Sequence, residues 1–113
     1  QAFSDELLQK AIAEERPVII DFNAEWCAAC HELEEYTFSD PRVIEYGKSF
    51  LWLSFDATNP SEQMDILQKR YGIGGLPYVI LYGTDGKPAM NQVLTGFEDA
   101  DNFLKRMKAV YKP

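Results

Sequence analysis

The sequence is poor in basic residues, in cysteine and in histidine, and it contains no long apolar run. It has 11 Lys and Arg against 18 Asp and Glu, a formal net charge of −7. An acidic chain repels phosphate backbones and anionic lipid, so we expect no nucleic-acid partner and no membrane-surface binding. The longest apolar stretch covers residues 76–82, whereas a membrane helix needs about 20 residues. We therefore expect no insertion into a bilayer.

The length and the residue balance are those of one globular domain. Of the 113 residues, 46% are hydrophobic and 26% are charged, and single domains cluster near 100–150 residues. We expect residues 1–113 to form a single domain. Because the N-terminus lacks the pattern of a secretion signal, we also expect either that a signal has been removed or that the chain is a piece of a longer membrane protein.

Apolar periodicity, capping residues and turn residues predict alternating helices and strands. Ser4 is a candidate cap for the first helix and Pro17 a candidate stop, while Asp85-Gly86 predicts a hairpin turn into a returning fourth strand. The predicted helices cover 5–15, 27–36, a short segment from Pro41, 62–71 and 99–111, and the predicted strands cover 18–22, 50–55, 78–82 and 89–94. This order predicts an α/β fold with a central mixed sheet flanked by helices on both faces.

The only two cysteines, Cys27 and Cys30, form a C-x-x-C pair at the start of a helix that follows a buried strand. Free N–H groups and the helix dipole lower the pKa of a thiol at this position. Cys30 lies one turn further on the same side, and the small residues Ala28 and Ala29 leave the approach open. One cysteine can attack a partner disulfide and the other can resolve the mixed disulfide. We expect Cys27 to be the more exposed, more acidic, attacking thiol.

A zinc or copper site is the alternative for this pair. A structural zinc site takes four protein ligands, and besides the cysteines the chain offers only His31, its single histidine. The side chain of His31 points about 100° away from that of its neighbour Cys30 on a helix. We therefore expect no metal and no other cofactor, and we interpret His31 as a solvated helix residue.

The residues around the cysteines resemble those of the thioredoxin fold. The run VIIDFNAEWCAAC at 18–30, with Gly-Leu-Pro at 75–77, is shared by many thioredoxin-like proteins. The more particular run EEYTFSDPRV at 34–43, with Thr-Gly-Phe at 95–97, narrows the resemblance. Over nearly its whole length the chain is similar to the C-terminal, periplasmic thioredoxin-like domain of the DsbD family of bacterial thiol:disulfide interchange proteins.

The resemblance implies a protein-disulfide reductase that relays electrons by thiol–disulfide exchange without a cofactor. In that family a membrane-embedded domain reduces the C-terminal domain, which passes the electrons to the N-terminal domain and onward to periplasmic disulfide isomerases and cytochrome c maturation. For this chain it implies protein thiol partners, a monomer, and a periplasmic location within an inner-membrane protein. Thioredoxin has Gly-Pro between its cysteines where this chain has Ala-Ala, so its reduction potential does not transfer.

By the same resemblance, Pro77 is the cis-proline that faces the cysteines. A cis bond turns the backbone of Leu76 outward, where it could pair with an extended segment of a partner. Trp26, just before Cys27, would add a flat apolar contact surface. The alternative for Pro77 is an ordinary proline at the start of a strand.

Asp21 is the one charged residue inside an otherwise apolar strand. A buried carboxylate is costly unless it is paired or protonated, although at a strand end it would simply reach water. The resemblance places a buried acid at this position, whose role would be to accept the proton of Cys30. Burial is expected to raise its pKa.

Glu34 follows Cys30 by four residues and Cys27 by seven, so helical periodicity places all three on one face. The family has an acid near the active site at this position, and we therefore expect Glu34 to help tune cysteine protonation. The alternative is a solvated acidic face shared with Glu32 and Glu35.

Two other functions stay open at this point. A free-standing thioredoxin reduced by a flavin reductase would share these features, and upstream membrane spans in the parent gene would distinguish it. A non-catalytic module would use the groove around Pro77 to hold a peptide or a metal. An insulin-reduction assay would separate a catalyst from such a binding module.

Overall fold

Three strands form the central sheet of the computed structural model, which describes residues 1–113. They are β1 (Val18–Asn23), β2 (Leu51–Asp56) and β3 (Tyr78–Tyr82), in the order β2-β1-β3. β1 runs parallel to β2 and antiparallel to β3. The predicted mixed sheet is confirmed, with β1 paired on both sides.

Five α-helices cover the two faces of the sheet, as the sequence predicts. They are α1 (Asp5–Ala13), α2 (Ala28–Glu32), α3 (Pro41–Gly47), α4 (Glu62–Tyr71) and α5 (Ala100–Val110). At the start of four of these helices, a side-chain oxygen of the N-cap residue accepts a hydrogen bond from a backbone N–H of the first turn. The four N-cap residues are Ser4, Asp40, Ser61 and Asp99. None of the helices is long and apolar enough to cross a membrane.

Alternation along β1 divides the core in two, because successive side chains of a strand point to opposite faces. Ile20 and Phe22 pack with α1 and α4, whereas Ile19 packs with α3 and α5. Asp21 follows Ile19 on the second face, toward the carboxyl end of the strand. A carboxylate therefore lies at the edge of the α3–α5 core rather than on an outer surface.

The first helix ends at Ala13, two residues earlier than predicted and well before Pro17. Glu15 adopts a φ of 55°, in the left-handed region. Its N–H donates to Ile12 O at 3.1 Å, and the N–H of Arg16 donates to Ala11 O at 2.9 Å. This pair of bonds is a Schellman cap, so the cap, and not the proline, ends the helix.

The helix predicted over 27–36 changes its winding part of the way along. The α-helical turn α2 is followed by a π-helical turn at Leu33–Thr37, in which the N–H of Phe38 donates to Leu33 O at 2.8 Å. The ring of Phe38 packs 5.1 Å from that of Trp52 and 5.2 Å from that of Phe103, between centroids. The wider turn accompanies a tertiary contact, which helix propensity does not reveal.

The predicted fourth strand at 89–94 is wrong. The chain does return antiparallel to β3, but it makes only isolated bridges, Tyr82 with Pro88 and Val79 with Leu94. Between them lies a 3-10 turn, Met90–Gln92. Pro88 has no N–H to donate to a ladder, and the turn takes the next residues out of register with β3.

Candidate active site

A disulfide joins Cys27 and Cys30 at the N-terminus of α2. After β1 the chain turns, with the N–H of Cys27 donating to Ala24 O at 3.1 Å, and Cys27 becomes the N-cap of the helix. Its Sγ accepts a hydrogen bond from the N–H of Cys30 at 3.2 Å. A free amide at the start of the helix is thus directed at the sulfur of the first cysteine, as the sequence predicts.

The predicted difference in exposure between the two cysteines is wrong for the disulfide state. Cys27 is 6% exposed and Cys30 is 7% exposed. The bond holds the two sulfurs together, and both residues pack with Ala24 and Leu76 in one small cluster. A difference in acidity between the two thiols of the reduced protein stays a prediction.

The Leu76–Pro77 peptide bond is cis, so the predicted isomer is confirmed. Pro77 is buried at the start of β3, and Leu76 is half-buried against the cysteine cluster. Two backbone hydrogen bonds, of 2.9 and 3.0 Å, pair Val79 with Leu94. The chain that follows Leu94 therefore runs antiparallel to the cis-proline segment, and its Phe97 is 47% exposed.

Trp26 lies beside Cys27 and is 66% exposed, and its place on a contact surface stays a prediction. The loop that follows β2 holds it there. Its Nε1 donates to Thr58 O at 3.0 Å, and the N–H of Glu25 donates to Thr58 Oγ1 at 2.9 Å. The N–H of Thr58 in turn donates to Asp56 Oδ1 at 2.9 Å. Thr58 is not among the predicted site residues, although an Asp two residues before a Thr at a strand end is typical of a side-chain-stabilised turn.

Asp21 is half-buried on β1, opposite Ser54 of β2 and Val79 of β3. Burial raises the pKa of its carboxyl to about 6, with a smaller upward contribution from the charge of Glu34. The amide of Asn23, which donates to Asp21 Oδ2 at 3.3 Å, opposes that rise. The predicted upward shift of this pKa, and burial as its main cause, are confirmed.

One cleft brings Asp21, Cys30 and Glu34 together. It has a volume of about 570 Å³ and lies between the active-site helix and the β1–β2 part of the sheet. Glu34 is exposed and lies in the π-helical turn. A carboxylate of raised pKa therefore opens into the same solvent-reached space as the second cysteine.

His31 also borders this cleft, and it is exposed. Its Nε2 lies 2.6 Å from Glu25 O, and since a carbonyl oxygen only accepts, the imidazole is the donor. No group of three or more His, Cys, Asp or Glu side chains is placed to hold a metal ion. Through its hydrogen bond to Glu25, His31 ties α2 to the loop before the cysteines, a contact that the sequence does not reveal.

Comparison with known proteins places the chain in a family. The thioredoxin-like domain family matches residues 4–111, and the chain belongs to it. The C-terminal domain of DsbD from Neisseria meningitidis, in its oxidised form, superposes with a TM-score of 0.84 at 28% identity, covering 98% of this chain and all of that one. A thioredoxin from Thermus thermophilus shares the fold, with a TM-score of 0.75 at 24% identity, covering 96% of this chain and 84% of that one.

Sequence relatives agree with this placement. The chain is 39% identical over 105 residues to the thiol:disulfide interchange protein DsbD of Vibrio vulnificus, covering 90% of the chain and 18% of that protein. It is 41% identical over 100 residues to DsbD of Salmonella typhimurium, covering 88% of the chain and 18% of that protein. The chain thus spans less than a fifth of these relatives. The fold, the C-x-x-C disulfide and the likeness to DsbD agree in describing a thioredoxin-like domain with a disulfide at the start of a helix.

Proposed function

We propose that this chain is the electron-relay domain of a DsbD-like transporter and that it works by dithiol–disulfide exchange between Cys27–Cys30 and protein partners. The observation that carries the proposal is the disulfide at the start of α2, with the amide of Cys30 directed at Cys27 Sγ and a carboxylate of raised pKa in the cleft beside Cys30. The two sulfurs store and release the electrons, so no cofactor takes part.

In the first step Cys27 attacks. In the reduced protein the N–H of Cys30 and the helix terminus stabilise a thiolate at Cys27. The thiolate attacks one sulfur of a partner disulfide, a mixed disulfide forms between Cys27 and that sulfur, and the other partner sulfur leaves as a thiolate.

In the second step Cys30 resolves the mixed disulfide. Asp21 accepts the proton of the Cys30 thiol through the cleft, and the resulting thiolate attacks Cys27 Sγ. The Cys27–Cys30 disulfide forms and the second partner sulfur leaves as a thiolate. Two electrons pass to the partner, and its two thiolates take up the two protons that the dithiol loses. Glu34 tunes this transfer, because its negative charge raises the pKa of Asp21.

The partner binds at the apolar surface beside the disulfide. Trp26 offers an exposed ring, and Leu76 lies against the cysteine cluster. Pro77 has no N–H, so it leaves the backbone groups of Leu76 as the pairing edge for an extended partner segment. An approach of this kind brings the partner sulfur to Cys27.

The relatives support a proposed place for this domain in a longer chain. DsbD proteins match this chain over less than a fifth of their length. We take residues 1–113 to be one domain of an inner-membrane protein, exposed to the periplasm and monomeric. A membrane-embedded domain would reduce it, and an N-terminal domain of the same protein would receive its electrons.

Insulin reduction with dithiothreitol tests the catalytic part of this proposal. The wild-type chain is expected to accelerate insulin precipitation, and Cys27→Ser and Cys30→Ser are expected to lose the acceleration. No acceleration by the wild type would favour a binding module. Efficient reduction of the chain by NADPH and a thioredoxin reductase would instead favour a free-standing thioredoxin.

A further inference from the structure

Asn23 lies two residues after Asp21 on the same face of β1, and its amide links β1 to β2. Its Nδ2 lies 2.9 Å from Ser54 Oγ and 3.3 Å from both Oδ2 and the backbone O of Asp21. Ser54 is itself the residue paired with Asp21 across the sheet. Since an amide nitrogen carries two hydrogens, one can bond to Ser54 while the other is directed to Asp21.

We infer that Asn23 is a positioning residue for the proton acceptor: its amide, anchored on Ser54 Oγ, donates to the Asp21 carboxylate and favours its charged state. The inference rests on the proposed function, in which Asp21 takes the proton of Cys30. Asn23 does not touch the reacting sulfurs in this account and acts only through Asp21.

The surroundings of Asp21 leave few other groups to favour the charge. The pKa of Asp21 is raised to about 6 as the net result of three effects: burial raises it, the Asn23 hydrogen bond opposes that rise, and the charge of Glu34 adds to it. On the β3 side, Asp21 faces the apolar residue Val79. The remaining titratable residues that border the cleft are Glu25, Cys30, His31 and Asp56. His31 is the one potential cation among them, and it bonds to a backbone carbonyl.

This balance matters for the reaction. A proton acceptor works best when its pKa lies near the working pH, because it must be ionised and still basic. Burial alone would push the carboxyl of Asp21 toward the protonated form, which cannot accept. A neutral amide donor offsets part of that effect without adding a cation that would make the carboxylate a poor base.

Two measurements on Asn23→Leu test the inference. The first is an NMR titration of the Asp21 carboxyl carbon in the disulfide form, which needs no thiol exchange. The midpoint is expected to rise by about half to one pH unit, the size of one charge-assisted hydrogen bond of modest strength. The second is the pH profile of mixed-disulfide resolution by Cys30. The rate is expected to fall about 2- to 5-fold near pH 6 and to stay within about twofold above pH 8.

Matched variants separate this effect from a loss of packing. Asn23→Gln keeps an amide donor and is expected to shift the midpoint less than Asn23→Leu. Asn102→Leu, at an exposed position on α5, is expected to leave it unchanged. If Asn23→Leu does not fold, Asn23→Ala takes its place with the same expectations.

Either of two results would overturn the role of Asn23. One is an unchanged Asp21 midpoint in the variant without the amide, and the other is an equal shift in the Leu and Gln variants. A wild-type chain that reduces no disulfide would instead contradict the proposed function. The NMR titration would still decide whether Asn23 favours the charged state of Asp21.

Discussion

The backbone N–H of Cys30 donates a 3.2 Å hydrogen bond to the Sγ of Cys27. No comparable amide is directed at the Sγ of Cys30, which lies one turn inside the helix. When the disulfide is reduced, this donor favours a thiolate at Cys27. We therefore expect a limiting amount of iodoacetamide to label Cys27 first, as read by peptide mass spectrometry. Preferential labelling of Cys30 would reverse the roles of the two cysteines.

Asp21→Asn is expected to stabilise the protein at neutral and alkaline pH while slowing thiol exchange. The folded-state pKa of Asp21 is raised from 3.8 to about 6, so the folded state binds this proton more tightly than the unfolded state. The stability that the proton confers is complete below pH 3.8 and is lost as the pH rises through about 6. Above that pH the buried charge destabilises the fold, and the variant removes the charge.

Urea denaturation at several pH values measures this effect. A pKa difference of one unit between the folded and unfolded states corresponds to about 1.4 kcal/mol. We expect a gain of about 1–2 kcal/mol at pH 8 and little gain at pH 4, because the new amide loses part of the hydrogen bonding of the carboxylate. Asp65→Asn, at an exposed position on α4, serves as the control. A variant that is less stable at every pH and exchanges at the normal rate would remove Asp21 from the mechanism.

Thr37→Val is expected to destabilise the fold through one buried hydrogen bond. Thr37 is fully buried in the π-helical turn, and its hydroxyl donates to the carbonyl of Glu98. Valine has nearly the same shape and leaves that carbonyl unpaired, at a cost of about 1–2 kcal/mol. Thermal or urea denaturation measures the loss, and Thr84→Val, at an exposed position, is expected to be nearly neutral. Equal stability of the two variants would contradict the assignment.

Gly86→Ala is expected to cost about 1–2 kcal/mol of stability. Gly86 has a φ of 75°, and an added Cβ would lie 2.7 Å from Cγ2 of Ile12. Gly74→Ala is the matched control, because its added Cβ would meet no atom within 4 Å. Urea denaturation should separate the two variants, and a Gly86→Ala protein as stable as Gly74→Ala would refute this account of the turn.

Much of the fold could be predicted from the sequence, because its signals are local. The β-branched run 18–22 predicted the central strand, and the helix predicted over 62–71 matches Glu62–Tyr71 of the structure. The failures have tertiary causes. The π-helical turn accompanies the packing of Phe38, and the predicted fourth strand is interrupted by a 3-10 turn after Pro88.

Some features of the candidate site likewise follow from the local sequence, and others arise only from tertiary contacts. The position of Cys27 at the helix start and the upward shift of the Asp21 pKa follow from neighbours along the chain and from strand burial. The contacts of Asn23 with Ser54 and of Trp26 with Thr58 join residues about 30 positions apart. Periodicity within one element does not place such partners, so these contacts emerge only from the folded chain.

Trapping of a mixed disulfide would show whether Cys27 attacks a partner and Cys30 resolves the product. Reduced Cys30→Ser is mixed with a protein disulfide substrate, and the product is examined by non-reducing electrophoresis and peptide mass spectrometry. We expect a stable one-to-one adduct through Cys27, because the variant can attack but cannot resolve, and no comparable adduct with Cys27→Ser. Equal trapping by both variants, or an adduct formed through Cys30 alone, would contradict these roles.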